Sequence, residues 1–333
     1  MGNSSKYLFY STVIFVAAFL FYHFYLESKA IDKEEQVVMK SAADQSEYVN
    51  VDSFGANGED TKDDSKSIQA AINYSQKSKI GKVRLLGNNN YVLKKGLVLK
   101  EGVELEFGQN TKVRIEGNFK AIKVMKNASI TNGIFEIVDA KFDSDVIYLD
   151  GKEKFWSWER TQIQNVSLLN ISGSHKGTGL HLYAGGSDQF ICFVNFSDMK
   201  IAGFHTGVKL ESKEPKDKKY SFINGNRFIN FTLDDCVRGV FINSSISVPN
   251  ESSGNEFSGL QIQLSKYTKR AILVSGSDNK FEGLIWDVHI LRDNRSVIEF
   301  SKDSMRSSLE SNLSSKYIVD KGEQNYYTSP EEK

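Results

Sequence analysis

Apolar residues recur through the middle of the chain on one template: an apolar position, a second three residues on, and a third five residues on. It reads Ile163/Val166/Leu168, Phe196/Met199/Ile201, Phe228/Phe231/Leu233, Phe257/Leu260/Ile262 and Phe281/Leu284/Trp286. The first positions of successive copies stand 33, 32, 29 and 24 residues apart. A second short strand follows each copy, in most cases opening on a small residue: Gly179-Leu180-His181-Leu182, Gly207-Val208-Lys209-Leu210, Gly239-Val240-Phe241-Ile242 and Ala271-Ile272-Leu273-Val274, with Ile298-Glu299-Phe300 a looser match. Fainter copies lie upstream, at Val103/Leu105, Val113/Ile115, Ile122/Val124, Ile130/Ile134 and Ile147/Leu149. Units this short cannot bury a face alone, so stacking must complete the core. Frequent short strands, Gly or Asn turns and little helical periodicity predict a parallel β-helix over about 48–302. Asn226, Asn255 and Asn279 open three copies at the same point, where each amide can bond to the next coil. Residues 303–333 read as a polar tail, within which Tyr317-Ile318-Val319 could fold back.

Helical periodicity is confined to the start of this region. Val49 and Val51 alternate with polar residues as a short strand does, and Gly55, Asn57 and Gly58 break it. Ile68, Ala71 and Ile72 then recur on one helical face, which predicts a helix from about Ser65 to about Ser78 with Asp64 or Ser65 as its cap. Upstream, Tyr7 to Leu26 is an apolar run of twenty residues with tyrosines toward both ends, long enough to cross a bilayer as a helix. Residues 1–30 are therefore an uncleaved anchor or, with Ser28-Lys29-Ala30 as cleavage site, a signal segment. Residues 31–47 are a polar linker. A membrane-anchored, extracytoplasmic domain is expected, or a secreted one after cleavage.

The segment from Tyr48 to Ile72 resembles the opening of the pectate-lyase-like superfamily, in the branch that holds rhamnogalacturonase-like proteins and phage tailspikes. The matching residues are Phe54-Gly55-Ala56, Asp63-Asp64-Ser65 and Gln69-Ala70-Ala71, while Gly58-Glu59-Asp60 departs from the usual Gly-Asp-Gly. The resemblance implies an all-β, right-handed, single-stranded parallel β-helix with an N-terminal capping helix, here preceded by a transmembrane helix. It implies an action on polysaccharides, acidic ones in particular, and leaves the activity open because this segment caps the solenoid. Asp63 and Asp64 are read as turn and cap residues.

Composition narrows the partners. Lys and Arg number 42 and Asp and Glu 42, so no excess of basic residues marks a nucleic-acid partner. Two cysteines, Cys192 and Cys236, exclude a disulfide-stapled scaffold and a four-cysteine zinc site. No oligomeric state is indicated.

Active members of the superfamily need clustered outward side chains on adjacent coils. Hydrolases use two or three carboxylates; lyases use a base with Ca2+-binding carboxylates, so Ca2+ is implied only for a lyase and no other cofactor is evident. If the apolar positions face inward, the residues between them form outward columns. One reads Tyr148, His181, Lys209, Phe241, Leu273, Glu299; the other reads Ser167, Lys200, Thr232, Gln261, Ile285. Neither stacks acids. His181 and Lys209, adjacent on neighbouring coils, are candidate contacts to an acidic sugar, or else ordinary solvated side chains. Asp234-Asp235-Cys236-Val237 resembles the Asp-Asp-Cys-Val element of polygalacturonases, which makes Asp234 and Asp235 catalytic candidates. The companion Asn-Thr-Asp-Gly, Gly-His-Gly and Arg-Ile-Lys elements are missing, and a turn after Leu233 explains the pair equally well. Trp156 and Trp158, in a segment that breaks the repeat, are candidates for stacking on sugar rings, or for packing against the solenoid wall. Two functions remain open: a lyase or hydrolase, and a non-catalytic polysaccharide-binding or structural surface protein.

Overall fold

Each repeat closes into one coil of a solenoid. The computed structural model describes residues 47–217, 219–246, 251–291, 295–328 and 330. The coil from Asn195 shows the plan: Asn195–Ser197 on a first face, Lys200–Ala202 on a second, Thr206–Ser212 on a third and Ser221–Asn224 on a fourth. Every one of these strands pairs in parallel with the coils before and after it, or with one of them. The first two faces share a 17-stranded sheet and the other two a 12-stranded sheet. This is the expected parallel β-helix.

The irregular repeat lengths disappear in the register. Val83, Leu105, Ile130, Ile163, Phe196, Phe228, Phe257, Phe281 and Leu309 form one inward column on the first face. Loops outside the strands absorb the differences in length. Four phenylalanines of this column stack, with centroids 4.9, 4.2 and 5.1 Å apart, a dry core that fixes the strand register. The asparagine ladder forms as expected. Asn226 Nδ2 donates to Asn255 Oδ1 at 2.9 Å and Asn255 Nδ2 to Asn279 Oδ1 at 3.0 Å, all fully buried. Ser307 and Asn325 continue it. The small residues that open the third-face strands also have a cause. A Cβ on Gly239 would sit 2.4 Å from the Ala271 carbonyl oxygen, and one on Gly207 2.8 Å from that of Gly239.

The predicted helix is α1, Ser65–Ser78, with Ile68, Ala71 and Ile72 buried. Its capping differs from expectation. Asp64 occupies the cap position, but its carboxylate accepts from the Asn57 and Val92 amides, both at 2.8 Å. Asp63 instead accepts from the Ser65 amide. Gln69 bonds both backbone groups of Val98, at 2.8 and 3.1 Å, so the helix imitates a neighbouring strand and covers the open edge of Leu97–Leu99.

Two expectations fail. The residues after Asp303 are not a loose tail, although Ile318 and Val319 do fold back onto the preceding coil. Ile298–Met305, Ser308–Glu310, Ile318–Asp320 and Tyr326–Thr328 carry the coil on, with Ile318 paired to Ile298 and Tyr327 to Leu309. These strands are three residues long apart from the first, and each buries too few apolar side chains for alternation to show. The last template copy is also one residue out of register. Gln261 pairs with Leu284 and Ile262 with Ile285, because Phe281 and Ile285 stand four residues apart where Phe257 and Ile262, like Phe228 and Leu233, stand five apart. Ile285 therefore points inward, while Leu284 and Trp286 face solvent.

Tyr7 to Leu26 and the linker lie outside the described residues. Among the described residues, no helix is long and apolar enough to cross a membrane.

Candidate functional site

The third face is the widest strip of regular strand, and its outward column is the one anticipated. Tyr148, His181, Lys209, Phe241, Leu273 and Glu299 follow one another coil by coil. His181 and Lys209 are thus neighbours, but neither is an isolated solvated side chain. His181 is buried, with Nδ1 3.0 Å from Asp145 Oδ1 and Nε2 3.4 Å from Glu211 Oε2. Lys209 and Lys213 both pair with Glu211, at 2.7 and 3.1 Å. Lys120 pairs with Asp145 at 3.1 Å and lies over the Tyr148 ring. His181 and the two lysines hold the Glu211 carboxyl far below the usual range. Burial works against the charge on Asp145, yet His181 and Lys120 outweigh it and keep that carboxyl low as well. Burial and the acids nearby push the Tyr148 hydroxyl up.

The two acids were missed because they stand in other columns. Asp145 is in register with Thr178, and Glu211 with Tyr183. Their side chains reach the histidine from either side, which a column-by-column reading cannot show.

Beyond this face, Trp156 and Trp158 belong to a larger aromatic wall. Phe155 is fully buried and bonds the backbone beside Ile191, at Phe190 and Cys192, which ties the loop down. Trp156 is half-buried edge-on against Phe190 and Phe193, both at 5.5 Å, and Trp158 stands 6.0 Å from it and 81% exposed. Phe190 stacks on Phe222 at 5.4 Å, and Tyr220 lies 5.7 Å from Phe222. Phe190 and Phe222 are in register on the fourth face. Both readings of the loop are thus realised: Trp156 packs and Trp158 projects. The sequence signal for the missed rings is their spacing, since Phe190 and Phe222 stand one repeat of 32 residues apart. Phe193 holds a left-handed backbone, φ 58°, a conformation that costs energy in a residue of this size.

Asp234 and Asp235 lie on the opposite margin, in the turn entering the third-face strand Arg238–Asn243. Asp234 is exposed. Partial burial, Asp235 and Asp287 push its carboxyl up. Asp235, φ 49°, holds His175 Nε2 at 2.7 Å, and the His175 ring stacks on Tyr267 at 4.0 Å. The acid pair is therefore separated by the width of the third face from Trp156 and Trp158. Among the described residues, no group of three or more His, Cys, Asp or Glu is placed to hold a metal ion. Cys192 and Cys236 are free and buried.

No protein-family model and no curated protein matches the chain. Several solved structures resemble it. ORF18 of Geobacillus virus E2 is 16% identical, with a TM-score of 0.42 over 89% of this chain and 63% of that one. The tailspike gp49 of Acinetobacter baumannii bacteriophage Fri1, a capsular polysaccharide depolymerase, is 12% identical, with a TM-score of 0.44 over 85% and 57%. A family 28 exopolygalacturonase of Yersinia enterocolitica is 11% identical, with a TM-score of 0.41 over 84% and 77%. The chain spans less than two thirds of the two phage proteins. These likenesses concern the fold, and no activity is carried over from them.

Proposed function

We propose that the protein is a membrane-anchored, extracytoplasmic carbohydrate-active protein that holds an acidic polysaccharide against the side of its solenoid. The observation that carries this reading is the wall of Trp156, Trp158, Phe190, Phe193, Tyr220 and Phe222, with Trp158 81% exposed. Contiguous rings exposed beside polar side chains suit sugar faces. Stacking on one ring is worth about 1–3 kcal/mol in nucleic-acid systems, so on that order Trp158→Ala weakens binding about tenfold. The test is titration of the full-length protein with a panel of acidic and neutral polysaccharides. Binding that is absent throughout, or unchanged in folded Trp156→Ala and Trp158→Ala variants, removes the reading. Membrane association is checked separately: the protein stays with membranes through a carbonate wash, whereas a mature chain beginning at Ile31 indicates a cleaved signal.

A second reading, glycan cleavage at Asp234 and Asp235, is favoured by one observation. The Asp234 carboxyl is pushed up, as a proton donor needs, beside an Asp235 carboxyl hydrogen-bonded to His175. New reducing ends that vanish in Asp234→Asn support it. New absorbance from unsaturated products points to a lyase instead, for which Ca2+ dependence is then tested. No product with any polysaccharide that binds leaves the non-catalytic alternative.

A further inference from the structure

Several cations on the outside of this solenoid are matched to acids on the same or adjacent coils. Lys82 pairs with Glu104 at 3.2 Å, Arg84 with Glu106 at 2.8 Å, Lys112 with Glu136 at 2.6 Å, Lys123 with Glu153 at 2.8 Å and Arg270 with Glu299 at 2.9 Å. Arg238 is not matched in this way. It is in register with Thr206 on one side and Arg270 on the other. Its guanidinium lies over the Phe241 ring at 4.9 Å, and among the described residues its side chain has no ion pair and no hydrogen bond. The ring packs against the cation without using its fork of N–H donors, which suits a planar anion in bidentate fashion.

The surroundings add positive charge. The Arg238 amide donates to the His205 carbonyl, and the Lys269 amide to the Val237 carbonyl, so His205, Arg238 and Lys269 are held at one turn on three successive coils. Arg270 is already committed to Glu299. Partial desolvation, Arg238, Lys269 and Lys209 push the His205 imidazole below its ordinary value, against the pull of Asp143. Positive charge thus gathers at this turn, with Asp143 the acid that acts on His205 and, among the described residues, no ion pair to Arg238.

We infer that Arg238, flanked by Lys269 and His205, is an anion-binding subsite that takes a carboxylate or sulfate substituent of the glycan lying on the third face. This rests on the polysaccharide reading above, and it names the group that the turn side of the face selects. The aromatic wall stacks rings of any sugar, whereas Arg238 discriminates by charge.

The test uses the full-length protein and four probes: inorganic sulfate, a uronate oligosaccharide, a sulfated oligosaccharide and a neutral glucan oligosaccharide. Affinity is read by calorimetry. The titration of the His205 ring is read by NMR, with its resonance assigned by its loss in His205→Gln. In Arg238→Ala the charged oligosaccharides lose about ten- to a hundredfold in affinity, the range expected for hydrogen bonds to a charged group, and the neutral one does not change. Arg238→Lys keeps the charge but not the fork, and recovers only part of the loss. Bound anion raises the His205 titration in wild type and not in Arg238→Ala. The uronate and sulfate arms tell which substituent is preferred. Unchanged affinity for charged probes in Arg238→Ala, or a His205 titration that no anion moves, overturns the subsite. If no glycan binds but inorganic sulfate still moves His205 through Arg238, the subsite stands and the polysaccharide reading falls. If charged and neutral glycans bind equally and both depend on Trp158, the polysaccharide reading stands and the subsite falls.

Discussion

Asn255 sits at the middle of the buried amide ladder, and its removal is a stringent test of what holds the coils in register. Its Oδ1 accepts from the Asn226 amide at 3.1 Å and from Asn226 Nδ2 at 2.9 Å, while its own Nδ2 donates to the Ile223 carbonyl and to Asn279 Oδ1. In Asn255→Ala, Asn226 Nδ2 keeps the Ile191 carbonyl and Asn279 Oδ1 keeps the Asn255 amide. The Asn226 N–H and the Ile223 carbonyl lose the side chain that satisfied them. Each buried group left without a partner costs about 1–3 kcal/mol, so the variant loses about 2–6 kcal/mol. Asn165→Gly is the control. Asn165 makes the matching contact on the outside, Nδ2 to Asn132 Oδ1 at 2.9 Å, and its backbone is left-handed, φ 52°, which glycine accepts. The control loses no more than about 0.5 kcal/mol, as exposed sites do. Urea unfolding followed by circular dichroism compares the midpoints. Hydrogen-exchange mass spectrometry then locates the loss, because a stacked array opens locally. Peptides around residues 223–229 and 252–258 lose about two orders of magnitude of protection for each ~3 kcal/mol. Equal losses in the two variants, or faster exchange spread evenly over all coils, would refute the view that the inner ladder sets the register.

Gly239→Ala places a Cβ 2.4 Å from the Ala271 carbonyl oxygen and lowers the unfolding free energy in urea titration by about 1–3 kcal/mol, whereas Gly173→Ala, with nothing within 4 Å, costs only its left-handed backbone. The Glu211 carboxyl is lowered in the folded state from an ordinary 4.5, so its contribution is fully present above that value and is lost as pH falls through the folded-state value. The melting temperatures of wild type and Glu211→Gln therefore differ at neutral pH and converge in acid; a constant gap contradicts the ion-pair account. Burial pushes the Cys192 and Cys236 thiols up to about 12, so a thiol reagent at pH 8 leaves the native protein unlabelled and titrates both after unfolding.

The architecture was legible because its determinants are local and repeated. A large apolar residue inward on every coil, a glycine where backbones approach and an asparagine at one turn of successive coils each leave a mark at fixed register, however uneven the spacing. The C-terminal coils left almost none, since strands of three residues bury one side chain such as Leu309 or Ile318. The one-residue slip at Leu284 came from a last coil one residue shorter between its first two faces, which a template of fixed offsets cannot carry. For the candidate site, adjacency along a column was readable, and His181 beside Lys209 followed from it. Contacts across columns were not: Asp145 and Glu211 meet His181 through side-chain reach. Phe193 joins the aromatic wall from a backbone conformation that no propensity would assign to it.

Among the described residues, the fourth face exists on a few consecutive coils, at Gln189–Cys192, Ser221–Asn224 and Ser252–Ser253, before it merges into the long strand Arg270–Ser277. With strands about 4.8 Å apart, the aromatic strands cover only about 5–10 Å along the axis. A long polymer would touch this protein over a brief stretch and run free on both sides, so a grip of this kind counts short motifs rather than chain length. Coils could be inserted or deleted toward either end without disturbing it, making overall length and ligand preference independently adjustable traits.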